Sequence, residues 1–223
     1  GKDYIDTGYT EWGASGLAAV WAENNTRESI YEAFRRKETF ATSGSRIKVR
    51  FFGGYNLEKI LEEGDPIKYA YANASSMGSD ILQNQNQVPE FMVWAIRDLK
   101  RAPLDRVQII KGWTELSGKP HEKVYDVACS DGRKANIKTG LCKDSRAKVN
   151  LSNCKISKNF GADELKVVWK DPDFNPNLKA FYYVRVLENP TCRWSTWDAI
   201  KSGEKPRGDL PSTIQERAWT SPI

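Results

Sequence analysis

The 223-residue chain contains a single histidine, His121. A hydrolytic metal centre gathers several histidine and carboxylate ligands at one point, and one imidazole in SGKPHEKV cannot begin such a set. His121 reads instead as a solvated residue at a hairpin turn. No glycine-rich phosphate loop precedes a helix, and no Gly-x-Ser-x-Gly nucleophile elbow occurs. The serines have no histidine partner to activate them. These absences leave no candidate catalytic residue and no cofactor expected within the chain. Nor is there an apolar run of bilayer length, so membrane insertion is not expected. The 34 basic and 29 acidic residues, net charge +5, are dispersed. The densest basic stretch, Arg35-Arg36-Lys37, closes a predicted helix, where cations complement the dipole. A nucleic-acid groove would need a clustered basic stripe, and no nucleic-acid partner is expected.

Cysteine is scarce but even in number: Cys129, Cys142, Cys154 and Cys192. None forms a Cys-x-x-Cys pair, which disfavours zinc, while an even count near loop signals fits two disulfides in an oxidising compartment. Three connectivities are possible and the sequence does not choose among them. The favoured one joins Cys129 to Cys142, closing one loop, and Cys154 to Cys192. A periplasmic or secreted location follows from this reading.

Aromatic residues are plentiful, with 8 Trp, 9 Tyr and 8 Phe, enough for a substantial core. GLAAVWA (16–22) reads as a strand buried on both faces. RESIYEAFRRKETFATSG (27–44) reads as a helix and exit strand. Asn25 and Glu28 suit a capping box, and Ile30, Ala33 and Phe34 form one apolar helix face. One βα unit cannot bury both its faces alone, so this segment needs a partner. Beyond Gly44 the hydrophobic period becomes two. Strands are predicted around 47–51, 91–97, 106–113, 122–128, 164–169 and 181–188. In the last, Tyr182, Val184 and Val186 face one way, and the inward tyrosine has the spacing of an immunoglobulin-like corner. Residues 53–90 and 129–163 read as long irregular stretches, the second holding three of the cysteines. The expected fold is therefore mainly β: an antiparallel immunoglobulin-like sandwich over 45–223, preceded over 1–44 by one βα unit.

Two further stretches carry candidate chemistry. In DPDFNPN (171–177), Asp171, Asp173 and Asn175 have the alternating oxygen spacing that opens an EF-hand loop. The sixth position is Pro176 rather than Gly and the twelfth is Tyr182 rather than Glu, so a turn whose side chains bond their own backbone competes with calcium. CRWSTWDA (192–199) places Arg193 beside Trp194 and Trp197, and QERAW adds Arg217 and Trp219. Such residues serve core packing, a domain interface or ligand stacking.

GLAAVWAENNTRESIYEAFRRKETFATSGSRIKVRFFGG, APLDRVQIIKGW, EKVYDVACSDG, DPDFNPNLKAFYYVRVLENPTCRWSTWDA and IQERAWTSPI together resemble the C-terminal part of a bacterial domain-of-unknown-function family. That family is similar to the polymerase-and-histidinol-phosphatase (PHP) metallohydrolases. The resemblance covers about Gly16 to Ile223. It implies that residues 1–44 are the last βα unit of an upstream α/β barrel and that the divalent-metal ligands lie in that barrel. The chain would then be a fragment: a non-catalytic β-domain whose partner is its own N-terminal catalytic domain. No ligand motif of the family has a counterpart here. The other functional expectation is a self-sufficient carbohydrate- or ligand-binding sandwich that uses exposed tryptophans.

Overall fold

A computed structural model describes residues 12, 13, 15–82, 84 and 87–223. In chain order its elements are β1 (Leu17–Val20), α1 (Arg27–Arg35), β2 (Thr39–Thr42), β3 (Lys48–Gly54), a 3-10 turn (Ile60–Glu62), α2 (Pro66–Asn73), β4 (Ser75–Ser76) and β5 (Glu90–Ile96). There follow β6 (Leu104–Thr114), β7 (Pro120–Cys129), β8 (Val149–Asn150), β9 (Lys155–Ile156), β10 (Glu164–Lys170) and β11 (Ala180–Glu188). β12 (Thr191–Cys192), α3 (Trp194–Lys201), β13 (Thr213–Ile214) and β14 (Arg217–Thr220) complete the series. The protein is mainly β. The pairs within both large sheets are antiparallel.

One sheet has six strands in the order β1-β2-β14-β11-β6-β7, the other four in the order β10-β5-β3-β4. Strict alternation along the strands decides how they stack. On β3, Val49 and Phe51 enter the central core; on β5, Phe91, Val93 and Ala95 do the same. From the six-stranded sheet come Phe40, Val107, Ile109, Val184, Val186 and Ala218. The two inner faces thus close on each other as a sandwich. Each large apolar side chain so buried contributes about 1.5–3 kcal/mol relative to exposure. The intervening positions, Phe52 and Met92, point to the opposite face of the smaller sheet. There they pack with Leu57, Ile60 and Ala70, beneath the 3-10 turn and α2. The smaller sheet is consequently covered on its outer face around Phe52 and Met92.

The amino-terminal segment has the strand, helix and strand that the sequence predicts, in a different arrangement. β1 and β2 are antiparallel, pairing Leu17 with Thr42 and Val20 with Thr39, whereas a βα unit left from a barrel would present parallel strands. β2 also pairs with β14, so the segment is continuous with the sandwich. β1 is an edge strand rather than one buried on both faces: Leu17 is 43% exposed. The helix cap is Thr26, one residue beyond the expected Asn25, and its side chain accepts from Ser29 N. The stretch at 53–90, expected to be irregular, contains α2. Its start combines Asp65, whose carboxylate accepts from Lys68 N, with Pro66 at the first helical turn, a pairing with a clear physical basis.

Both favoured disulfides are present, Cys129–Cys142 and Cys154–Cys192. The first fastens the 130–141 loop against β6 and β7, where Asp126 accepts from Cys142 N at 2.6 Å. The second ties β8 and β9 to β12. These bonds indicate an oxidising environment outside the cytosol. Among the described residues no helix is long and apolar enough to cross a membrane.

Candidate functional site

The face of α1 departs most from what its sequence leads one to expect. The spacing of Ile30, Ala33 and Phe34 predicts one core-facing stripe, yet only Ala33 is buried among the nine helical residues. Phe34 is 54% exposed and Tyr31 58% exposed. Ile30, Tyr31 and Phe34 line a shallow groove of about 560 Å³. Phe34 also borders a second depression with Phe181 and Ile223. Ile223 in turn lines a cavity of about 330 Å³ walled by Tyr55, Phe91, Phe174 and Tyr182. The three depressions adjoin through Phe34 and Ile223, with Lys37, Asp80 and Lys179 among their other lining residues. The rings of Tyr31 and Phe34 are the exposed apolar surface on this helix.

On another side of the same segment lies a pocket of about 430 Å³ bordered by Trp21, Ala22, Glu23, Arg36, Glu38, Arg50 and Tyr71. Five separate pieces of backbone build it: the end of β1, the end of α1, the entry to β2, β3 and α2. Trp21 is fixed by its indole N–H, which donates to Val49 O at 2.8 Å, and by Phe40, whose ring centroid is 5.8 Å away. Arg50 lies over the Trp21 ring, its Cζ 3.7 Å from the centroid, and donates to Tyr71 Oη at 2.7 Å. Tyr71 Oη donates in turn to Oε1 of the buried Glu38, and Arg36 Nη2 stands 3.4 Å from Glu38 Oε2. Burial, reinforced by the bond to Glu38, pushes the Tyr71 hydroxyl up to about 12. It stays a neutral donor throughout the physiological range. Nothing in the sequence draws these residues together. Arg50, alternating with Val49 and Phe51, looks like an ordinary solvent-facing strand position, and Tyr71 falls in the stretch read as irregular.

The oxygens of the calcium candidate loop are bound by the protein's own cations and hydroxyls. Asp171 Oδ2 accepts from Lys111 Nζ at 2.6 Å and from Tyr182 Oη at 2.7 Å. Lys111 Nζ also reaches the Asp173 carbonyl at 2.7 Å. The Asp173 carboxylate accepts from Lys123 and Tyr125, and the Lys123 bond, followed by Tyr125, holds it below the usual carboxylate range. Asn175 Oδ1 accepts from Asn177 N, as expected of a turn. A buried ammonium thus sits among the oxygens that would have faced a metal. Tyr182 is an anchor, though to a side-chain carboxylate rather than to backbone. Burial and the Asp171 bond raise its pKa.

The tryptophan and arginine candidates divide into two groups. Arg193 Nη2 and Trp194 Nε1 both donate to the Trp12 carbonyl, at 2.7 and 2.9 Å, so they tie the early chain to α3. Trp197 is 43% exposed, with Lys201 Nζ 5.0 Å from its ring centroid. Arg217 and Trp219 lie on β14, the guanidinium 6.0 Å from the indole centroid. His121 is on β7 beyond the turn, stacked on Trp113 and 2.6 Å from Glu115 Oε1. Among the described residues no three His, Cys, Asp or Glu side chains converge to hold a metal ion.

Neither the curated proteins nor the solved structures give a match to this chain. A family model described as "Protein of unknown function (DUF3604)" does match, and it covers residues 2–223. Given a match over nearly its whole length, the chain belongs to this DUF3604 family.

Proposed function

We propose that this chain is the non-catalytic β-domain of a bacterial, periplasmic metal-dependent hydrolase of the PHP type, and that it packs on an α/β catalytic domain supplying the divalent-metal ligands. The observation that carries the reading is the uncovered face of α1. Ile30, Ala33 and Phe34 repeat at core-facing spacing, yet Phe34, with Tyr31 beside it, remains more than half exposed. A helix with that pattern has its partner elsewhere. The resemblance to PHP-like proteins supports a catalytic domain as that partner, and the two disulfides accord with an oxidising compartment.

Separately produced β-domain and upstream domain should associate, as read by analytical ultracentrifugation. Tyr31→Ser with Phe34→Ser should abolish that association. The isolated β-domain should keep its stability within about 0.5 kcal/mol, since both side chains are surface-exposed. Undiminished association of the double variant would overturn the docking face, and hydrolysis by the isolated chain would overturn its non-catalytic role.

The half-exposed ring of Trp197 supports a second reading, a sugar-stacking surface. Glycan titrations against the wild type and Trp197→Ala distinguish it: only stacking on this ring makes binding depend on the substitution.

A further inference from the structure

We infer that the pocket between β1, α1, β3 and α2 is a binding site for an oxyanion, a carboxylate or phosphate group carried by a small ligand. Two guanidinium groups, Arg36 and Arg50, line one concavity of about 430 Å³. Each carries five N–H donors. Among the described residues Arg50 commits one to Tyr71 and Arg36 one to Glu38. The remaining donors are available in the fork geometry that matches carboxylate and phosphate oxygens.

Arg50 is also set in place before any ligand arrives. Its plane rests on Trp21, 3.7 Å from the ring centroid, and one nitrogen is held by Tyr71. The Tyr71 hydroxyl is oriented from behind by buried Glu38. This relay of carboxylate, phenol and guanidinium restrains a side chain that is otherwise rich in rotamers. Binding then requires less ordering. Glu38 answers to Arg36 and Tyr71, so its charge is directed into the wall.

The proposal is tested by calorimetric titration of the whole chain with inorganic phosphate and, separately, with glucuronate, each against sodium chloride at equal ionic strength. Saturable binding beyond the chloride response is expected for one probe, and which probe binds distinguishes a phosphate from a carboxylate ligand. Arg50→Gln should weaken that binding by about tenfold or more, the scale of a lost charge-assisted pair. Arg50→Lys should rescue it only in part, because the fork is gone. Arg36→Gln, at an exposed helix end, keeps the test readable if the Arg50 variants fail to fold, and it too should weaken binding. A response no greater than that of chloride for both probes overturns the inference. So does saturable binding unchanged by Arg36→Gln.

Discussion

Replacing Glu188 by glutamine should make this protein more stable at neutral pH, by an amount that grows with pH. The side chain is fully buried at the end of β11. Ser45 is its polar neighbour, yet among the described residues neither carboxyl oxygen nor the Ser45 hydroxyl completes a hydrogen bond of good geometry. Burial is the chief cause that pushes the carboxyl up to about 8, from an ordinary value of 4.5; Ser45 opposes the shift and the nearby Glu216 adds to it. Because the folded pKa lies above the unfolded one, the unfolded chain releases the proton first as pH rises. The native state is therefore undiminished below about pH 4.5, loses stability up to about pH 8, and is level beyond. At about 1.36 kcal/mol per unit, keeping this proton at pH 7 costs roughly 3 kcal/mol.

Glutamine keeps the shape and removes the ionisation. Urea unfolding at pH 5, 6, 7 and 8 should show a variant-minus-wild-type difference that is smallest at pH 5, where ionisation costs under about 1 kcal/mol, and that is larger by roughly 2–3 kcal/mol at pH 7. A difference that stays constant with pH would refute the reasoning, because it would mean that Glu188 keeps the same proton in both states. A variant that is less stable at pH 8 would mean that the native carboxylate is ionised and bonded.

Lys111→Met should destabilise the fold by about 3–5 kcal/mol, since it strands the buried Asp171 carboxylate. Adding Asp171→Asn should restore a measurable part, and a double-mutant cycle by urea denaturation checks the coupling. Tyr182→Phe removes one buried bond to the same carboxylate and should cost about 1.5–3 kcal/mol in the same assay. Reduction of Cys154–Cys192, which spans 38 residues, should lower stability by about 4 kcal/mol. Cys129–Cys142 spans 13 and should contribute about 3 kcal/mol. Paired serine variants melted in parallel give the order.

The long strands were legible because their residues alternate: β3, β5, β6, β7, β10 and β11 all lie within a few residues of their predicted positions. The even cysteine count points to two disulfides without choosing among three pairings, and the structure joins Cys129 to Cys142 and Cys154 to Cys192. What the sequence misplaced depends on partners remote in the chain. Strand–helix–strand composition at 17–42 is the same whether the strands end parallel or antiparallel, and contact with β14 belongs to residues far downstream. Phe34 has the right spacing for a core position, but spacing does not say whether the facing surface is present. The Asp171 loop has ligand-like oxygens. Its cation, Lys111, comes from a strand 60 residues earlier, where a lysine between Ile110 and Gly112 reads as solvent-facing. The arginine pocket was invisible for the same reason, being assembled from five elements.

The place of β14 between β2 and β11 has a temporal consequence. The β1–β2 pair reaches the rest of its sheet only across β14. The hydroxyls of Thr39 and Ser221 that flank this junction meet across 182 residues. While the chain emerges from a ribosome or a secretion channel, β1 and β2 can pair with each other but cannot join the rest of their sheet until β14 has appeared. Loop closure over such a distance is slow, and the waiting strands leave unpaired edges exposed to other chains. Transport in an unfolded state suits this topology, because the sheet can be completed only after the whole segment has arrived. Chaperone demand should accordingly fall on the amino-terminal strands rather than on the disulfide-fastened loops.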